Sequence, residues 1–528
     1  MRKPRPRSLG LSAAICVALC LAAGCRRSSE APAAASSRAV RIAAFEPKSL
    51  DPTLLADGQG RKLAENLFAG LTARTANGQI IPGLSASWST TEDGLEWTFV
   101  LREGVVWSDG AALTAEDVVW SFRRGVDPAV GGPNGGMFDP IQGAAEITAG
   151  KLPPEKLGAT ASGNNVVLRL SRPDPELPRR LATGWLSPAP RHAISAHGGR
   201  WLEPAHFVGS GPYLLHSHTA GQGAVLLKNP RFYDASNVAV ERLELRFTSD
   251  VSLAWQWYEL GEVDVVEGLI PPEISARLSG AQDPALRLSP FDGVFFVFVN
   301  TAKGPLVDVR VRQALDLAID RQRLVRHVLG GGERATWSAL PARMLGEGLA
   351  QARPRDLARA KALLAEAGFT AARPLALRLA FNTNQKNSRL AEALQQDLAV
   401  GLGVQVTLEN TEWATFLSRL DSGDYELAQL NMGGFDALDF LSLFESGTPN
   451  RSQWRDGEYD AAVAAFRSAA APAARTEALG RAAARLASQL PAFPLFEPSR
   501  QNLVRPGLSG FEATTDDVHP ARYFAWMP

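Results

Sequence analysis

The amino-acid sequence predicts an α/β protein with two mixed sheets, and three observations carry that prediction. Stretches that alternate apolar and polar residues are interspersed with stretches of helical period along the whole chain. Residues 375–410 read as strand, helix and strand in succession. No unit of about 20–50 residues repeats, which excludes solenoids and propellers. The chain has 528 residues, room for about three domains at roughly 150 residues each. Hydrophobic residues make up 45% and charged residues 21%, a balance that suits a globular protein and excludes collagen, coiled coil and wholesale disorder.

The first 24 residues read as an export signal. Arg2, Lys3, Arg5 and Arg7 form a basic start. Residues 9–23 are then an apolar run, shorter than the roughly 20 residues a spanning helix needs. The run ends in Leu21-Ala22-Ala23-Gly24-Cys25, small residues directly before a cysteine. That pattern is similar to a lipoprotein processing site, which makes Cys25 the expected lipidation point. Residues 25–39, rich in Ser and Ala, read as a flexible tether. Lys+Arg and Asp+Glu both number 55. Loss of the four leader cations leaves 51 basic residues and a net charge of −4. This balance argues against a nucleic-acid partner. The only cysteines are Cys16, Cys20 and Cys25, so the body has no cysteine nucleophile, disulfide or cysteine-based zinc site.

Along the body, residues 95–101 alternate, with Trp97, Phe99 and Leu101 on one strand face. Thr114 and Asp117 form a capping signature for a helix with Val118, Val119 and Phe122 inward. Residues 125–165 are rich in Gly, Pro and Ala and read as loop-heavy. Strands are expected at 165–170, 213–215, 224–227, 238–247 and 295–299. A long helix is expected over 308–329, stopped by Gly330-Gly331-Gly332. In 375–410, Leu375, Leu377, Leu379 and Phe381 alternate, Leu390, Leu394 and Leu398 stripe a helix, and Val404, Val406 and Leu408 alternate again. A parallel pair is the default for such a unit. A short helix at 413–420 and a strand at 426–432 follow.

Several blocks carry a family resemblance. The longest runs from Leu84 to Val118 and includes Trp88, Asp93-Gly94, Trp97, Arg102, Gly104, Trp107, Asp109-Gly110 and Thr114-Ala115-Glu116-Asp117. Leu50-Asp51-Pro52, Gly209-Ser210-Gly211-Pro212-Tyr213, Asp308 to Leu315 and Glu458-Tyr459-Asp460 follow in the same order. The chain resembles extracellular solute-binding protein family 5, the peptide- and nickel-binding proteins of ABC importers. The resemblance implies the two-lobed periplasmic-binding-protein fold, type II, in its large peptide-binding class, with mixed sheets, a hinge and an inserted domain. Carried over, lobe I takes residues 40–80, 200–290 and 498–528. The inserted domain takes 81–199, and lobe II takes 291–497.

The implied function is ligand capture between closing lobes, then delivery to an ABC permease and its ATPase. No chemistry is done on the ligand, so no enzyme activity, cofactor or metal is expected. The exported body is expected to be a monomeric periplasmic or cell-surface lipoprotein. Peptides are the leading ligand. A nickel chelate, an oligosaccharide or another small solute is the alternative, as is a sensing or adhesion role without a permease. In the oligopeptide binders an Asp before a Pro-containing turn holds the peptide amine. The matching position here is Gly434, and the turn proline is absent. Asp436, Asp439, Glu46 or Asp51 are the candidate substitutes, with Phe45, Asn382, Asn431 and Phe435 as further cleft residues. His216 and His218 share a strand face but lack a third ligand. Neither a Gly-x-Ser-x-Gly elbow nor a phosphate loop occurs. Trp88, Trp97, Trp107 and Trp120 are assigned to packing.

Overall fold

The computed structural model describes residues 38–329, 332–346, 352–448, 450–469 and 471–527. The expected export signal, Cys25, most of the tether, and Gly330-Gly331 lie outside the described residues.

Two large sheets organise the body. The first has seven strands, in the spatial order Leu286–Pro290, Ser499–Val504, Val265–Glu267, Val40–Ala44, Arg242–Phe247, Gly223–Lys228 and Tyr213–Thr219. Val40–Ala44 lies inside it, parallel to both neighbours, and the other pairings are antiparallel. The second has six strands, in the order Arg334–Ala335, Ala492–Glu497, Gly293–Val299, Leu427–Gly433, Ala376–Asn382 and Gln405–Thr411. Every residue of Gly293–Val299 is buried. Its unbroken apolar sequence is what a strand covered on both faces requires.

The expected strand–helix–strand unit is present. Ala376–Asn382 and Gln405–Thr411 pair in parallel over their full length. Helix Gln385–Leu402 connects them and buries Leu390, Leu394 and Leu398. Asn384 caps it by accepting the Lys386 N–H at 2.8 Å. A separate four-stranded antiparallel sheet joins Ser85–Thr90, Glu96–Leu101, Asn165–Arg169 and Ala159–Ser162. Helix Ala115–Val126 covers it with Val118, Val119 and Phe122. Its capping box is complete: Asp117 N–H donates to Thr114 Oγ1 at 3.3 Å, and Thr114 N–H donates to the Asp117 carboxylate at 3.0 Å.

Two expectations need correction. The helix over 308–329 is broken. Val309–Ala318 ends where Ile319 turns extended, and Asp320 caps a new turn, Arg321–Arg323, followed by a wide turn, Leu324–Val328. The reason is buried charge. Arg321 pairs with Asp316 at 2.5 Å and donates to the Pro494 carbonyl at 2.7 Å. In a straight helix, at about 100° per residue, those two side chains would diverge by about 140°. The strand expected from 238 begins only at Arg242. Val238 and Val240 are buried without belonging to it, so their alternation signals burial and not pairing.

Trp97 and Trp107 are buried, as packing residues should be, and Trp88 packs half-buried against the same core. The two large sheets are joined by very short links. Pro290 ends a strand of one and Gly293 opens a strand of the other. Glu497 and Ser499 stand in the same relation across Pro498. These links place Phe291 and Asp292 at the joint, where the main cavity lies.

Candidate functional site

The cavity measures about 710 Å³. One wall comes from the loop-rich segment of the four-stranded sheet's neighbourhood, with Met137, Pro140, Arg180 and Trp185. The other follows strand Leu427–Gly433 and carries Gly433, Gly434, Phe435 and Leu438. Phe291 and Asp292 close it at the joint. The Trp185 and Phe435 rings meet edge to face at 6.0 Å, so the walls touch.

The turn after strand Leu427–Gly433 is built by two acids. Asp436 caps helix Ala437–Leu441 and accepts the Asp439 N–H at 3.1 Å. Asp439 reaches back and accepts the N–H of Phe435 at 2.7 Å and of Asp436 at 3.3 Å. This folds Asp439 over Gly434. A Cβ on Gly434 would stand 2.7 Å from the Asp439 Cβ and 2.9 Å from Phe440. Only glycine fits there while Asp439 completes the box.

The charges across the cavity are largely matched. Arg180 pairs with Asp436 at 2.6 Å and Asp174 at 3.0 Å, and lies 3.9 Å from Asp439. Against the cost of burial, these three carboxylates hold the Arg180 pKa above the ordinary arginine value. Arg179 and Arg343 both hold Asp292, at 2.9 and 2.7 Å. Asp516 lies 3.6 Å from Arg61 and also meets Arg74. Burial, and then the Asp436 charge, push the Asp439 pKa up. Its side chain remains 35% exposed, toward the cavity it lines.

One backbone edge is also open. Strand Leu427–Gly433 pairs with Gly293–Val299 over its whole length. On its other side Ala376–Asn382 contacts only Leu427 and Ala428. Leu430 to Gly433 therefore have a strand on one side only, and Gly433 lines the cavity.

The residues singled out in the sequence fall into separate places. Gly434, Phe435 and Asp439 line the cavity, with Asp436 buried beside them under Arg180. Asn431 is exposed on the same strand. Phe45 lines a different small crevice with Pro47 and Lys62. Glu46 accepts the Gly221 N–H at 3.0 Å and lies 3.7 Å from His218. Asp51 is buried and paired with Arg124 at 2.7 Å. Asn382 accepts from the Asn387 amide at 2.7 Å, at the end of its strand. Sequence reasoning missed Arg172, Arg179, Arg180, Trp185 and Asp292. The one available signal was Trp185, a large aromatic in a Gly- and Pro-rich stretch. Among the described residues no group of three His, Cys, Asp or Glu is placed to hold a metal.

Comparisons with known proteins agree with one another. The family model described as bacterial extracellular solute-binding proteins, family 5 middle, matches residues 79–452. The periplasmic oligopeptide-binding protein OppA of Salmonella typhimurium is 30% identical over 485 residues, spanning 89% of both chains. The probable deoxycholate-binding periplasmic protein YgiS of Escherichia coli is 30% identical over 478 residues, 88% of this chain and 89% of that one. Among solved structures, the periplasmic murein tripeptide-binding protein MppA, in its unliganded open form, matches with a TM-score of 0.80 and 27% identity. It covers 93% of this chain and 98% of its own. Haemophilus influenzae OppA in complex with the peptide RPPGFSPFR matches at 0.77 with 26% identity, over 93% of this chain and 99% of its own. The chain shares the two-lobed fold of these peptide-binding proteins.

Proposed function

Because the chain belongs to the bacterial extracellular solute-binding proteins of family 5, we propose that it captures peptides between two closing lobes and delivers them to an ABC permease. The lobes are those assigned from the sequence: 40–80, 200–290 and 498–528 for the first, 81–199 for its inserted domain, and 291–497 for the second. The grouping of strands into two large sheets and one four-stranded sheet supports this division. The protein acts without enzyme chemistry, as an exported lipoprotein held by an acylated Cys25.

The observation that carries the peptide reading is the strand edge that lacks a second neighbour beyond Ala428 and ends at Gly433 in the wall of a cavity of about 710 Å³. An extended peptide satisfies such an edge by adding as a strand, through backbone groups every peptide shares. Asp439 is the anchor for the ligand amine. Asp436 is already neutralised by Arg180, whereas Asp439 is partly exposed to the cavity and has only a distant guanidinium. A partly desolvated carboxylate with a raised pKa gains from an ammonium partner. Phe435, Gly434 and Asn431 contribute surface on the same side. A non-peptide solute is the second reading, favoured by the glycine at position 434.

Native mass spectrometry on protein purified without refolding tests this directly. Release of a ladder of peptide masses on denaturation is the expected outcome. A single non-peptide mass would replace the peptide reading with the second one.

A further inference from the structure

Strand Leu427–Gly433 changes surroundings halfway along. Leu427, Gln429 and Asn431 share one face of the sheet, because side chains two apart on a strand point the same way. Leu427 packs in one buried cluster with Leu390 and Leu394 of helix Gln385–Leu402. Asn431 is exposed. Gln429, between them, is fully buried. The edge changes at the same point: Ala376–Asn382 pairs with Leu427 and Ala428, and its pairing stops there. The helix and the neighbouring strand thus both leave this strand at residue 429.

Gln429 reaches the helix at its first turns. With its amide turned so that both ends are satisfied, it donates to the Asn387 carbonyl at 3.2 Å and accepts the Ala391 N–H at 3.0 Å. Those two groups are four residues apart, the pair that an unbroken helix joins to each other. A side chain inserted into that ladder is a known cause of a helix bend. The same turn is fastened elsewhere too: the Asn387 amide donates to Asn382 at 2.7 Å, and Lys386 meets Glu333 at 2.6 Å. A buried amide costs stability unless it is paired, and an aliphatic side chain would suit this apolar face without that need.

We propose that Gln429 is a positioning residue: it wedges the start of helix Gln385–Leu402 off the strand, so that the face at Asn431 and the edge beyond Ala428 stay free for the ligand backbone. The proposal rests on the peptide reading above and deepens it by naming what keeps the receiving edge unpaired. Without the amide, Asn387 and Ala391 bond to each other, the turn straightens, and the helix and its strand settle further along Leu427–Gly433. Protein and ligand then compete for the same backbone groups.

The test replaces Gln429 with Leu, which keeps the bulk and removes both bonds. The helix regains its own bond, so the unfolding midpoint of Gln429→Leu is expected to equal or exceed that of the unaltered protein. Its affinity for tetra-alanine, by isothermal titration, is expected to fall about tenfold, the scale of one or two backbone hydrogen bonds. N-methylation of tetra-alanine, one amide at a time, separates a closed edge from a general defect. Methylation that weakens binding to the unaltered protein should cost nothing further in Gln429→Leu. Hydrogen exchange at residues 430–433 without ligand should be slower in the variant. A lowered midpoint, or a variant that does not fold, makes the amide a tie of the core and overturns the proposal. Unchanged affinity overturns it too, as does a methylation effect that survives the substitution. If tetra-alanine does not bind the unaltered protein, hydrogen exchange decides: slower exchange in the variant keeps the wedge, and equal exchange removes it. Absence of peptide from the purified protein separately ends the peptide reading.

Discussion

Asp439 does three things at once: it completes a capping box, fills the space a side chain at 434 would need, and faces the cavity. Its pKa is raised by burial and by Asp436. That has a definite pH consequence. Between the ordinary aspartate value of 3.8 and the raised native value, the folded protein holds a proton that the unfolded chain releases. Its contribution to stability is therefore full below that window and is lost as pH rises through it. Asp439→Asn removes the titration and keeps an acceptor for the Phe435 N–H. The denaturant midpoint of the unaltered protein minus that of the variant should fall as pH rises through that window. Parallel curves would show that Asp439 titrates normally. The same substitution should weaken a free-amine peptide and spare its N-acetylated form.

At the scale of elements, local signals predict local structure. Thr114 and Asp117 are three residues apart, and their capping box forms as expected. Thr114→Ala should cost about 1 kcal/mol, the usual loss for an N-cap, read as a lower denaturant midpoint. Ligand affinity should be unchanged, because neither residue lines the cavity. The strand Gly293–Val299 and the unit from Ala376 to Thr411 are legible for the same reason: their periodicity lies within each segment. The long helix over 308–329 fails because Arg321 bonds to Pro494, 173 positions away. No pattern inside the helix encodes that contact. The cavity is legible only in part on similar grounds. Gly434, Phe435 and Asp439 sit at a strand end followed by a cap, which marks a turn. Arg180 sits in Pro-Asp-Pro-Glu-Leu-Pro-Arg-Arg, which has no period, and it meets Asp436 across 256 positions.

Across the whole molecule, the two walls of the cavity are tied together without any ligand. Arg180 belongs to helix Leu177–Arg180, while Asp436 follows strand Leu427–Gly433 of the six-stranded sheet. Arg180 is 4% exposed and Asp436 7%. Asp292, at the link between the two large sheets, is gripped by Arg179 from one side and Arg343 from the other. Separating the walls would expose the Arg180–Asp436 pair to water and break it. In a two-lobed binder such a tie sets how often the unliganded protein visits its closed form. Apparent affinity scales with that fraction. Arg180→Ala removes the tie and leaves Asp174 and Asp436 uncompensated, a change worth about 3–5 kcal/mol when a buried pair is broken. Rehydration by opening lets those carboxylates recover part of the loss. The variant should therefore show a larger ligand-free radius of gyration by small-angle scattering, and weaker binding of the same peptide. Saturating peptide should return its radius to that of the unaltered protein, since the remaining contacts to ligand still favour closure. If ligand-free radius and affinity both stay unchanged while stability falls, the pair holds only local packing, and closure is set by the short links at 291–292 and 498.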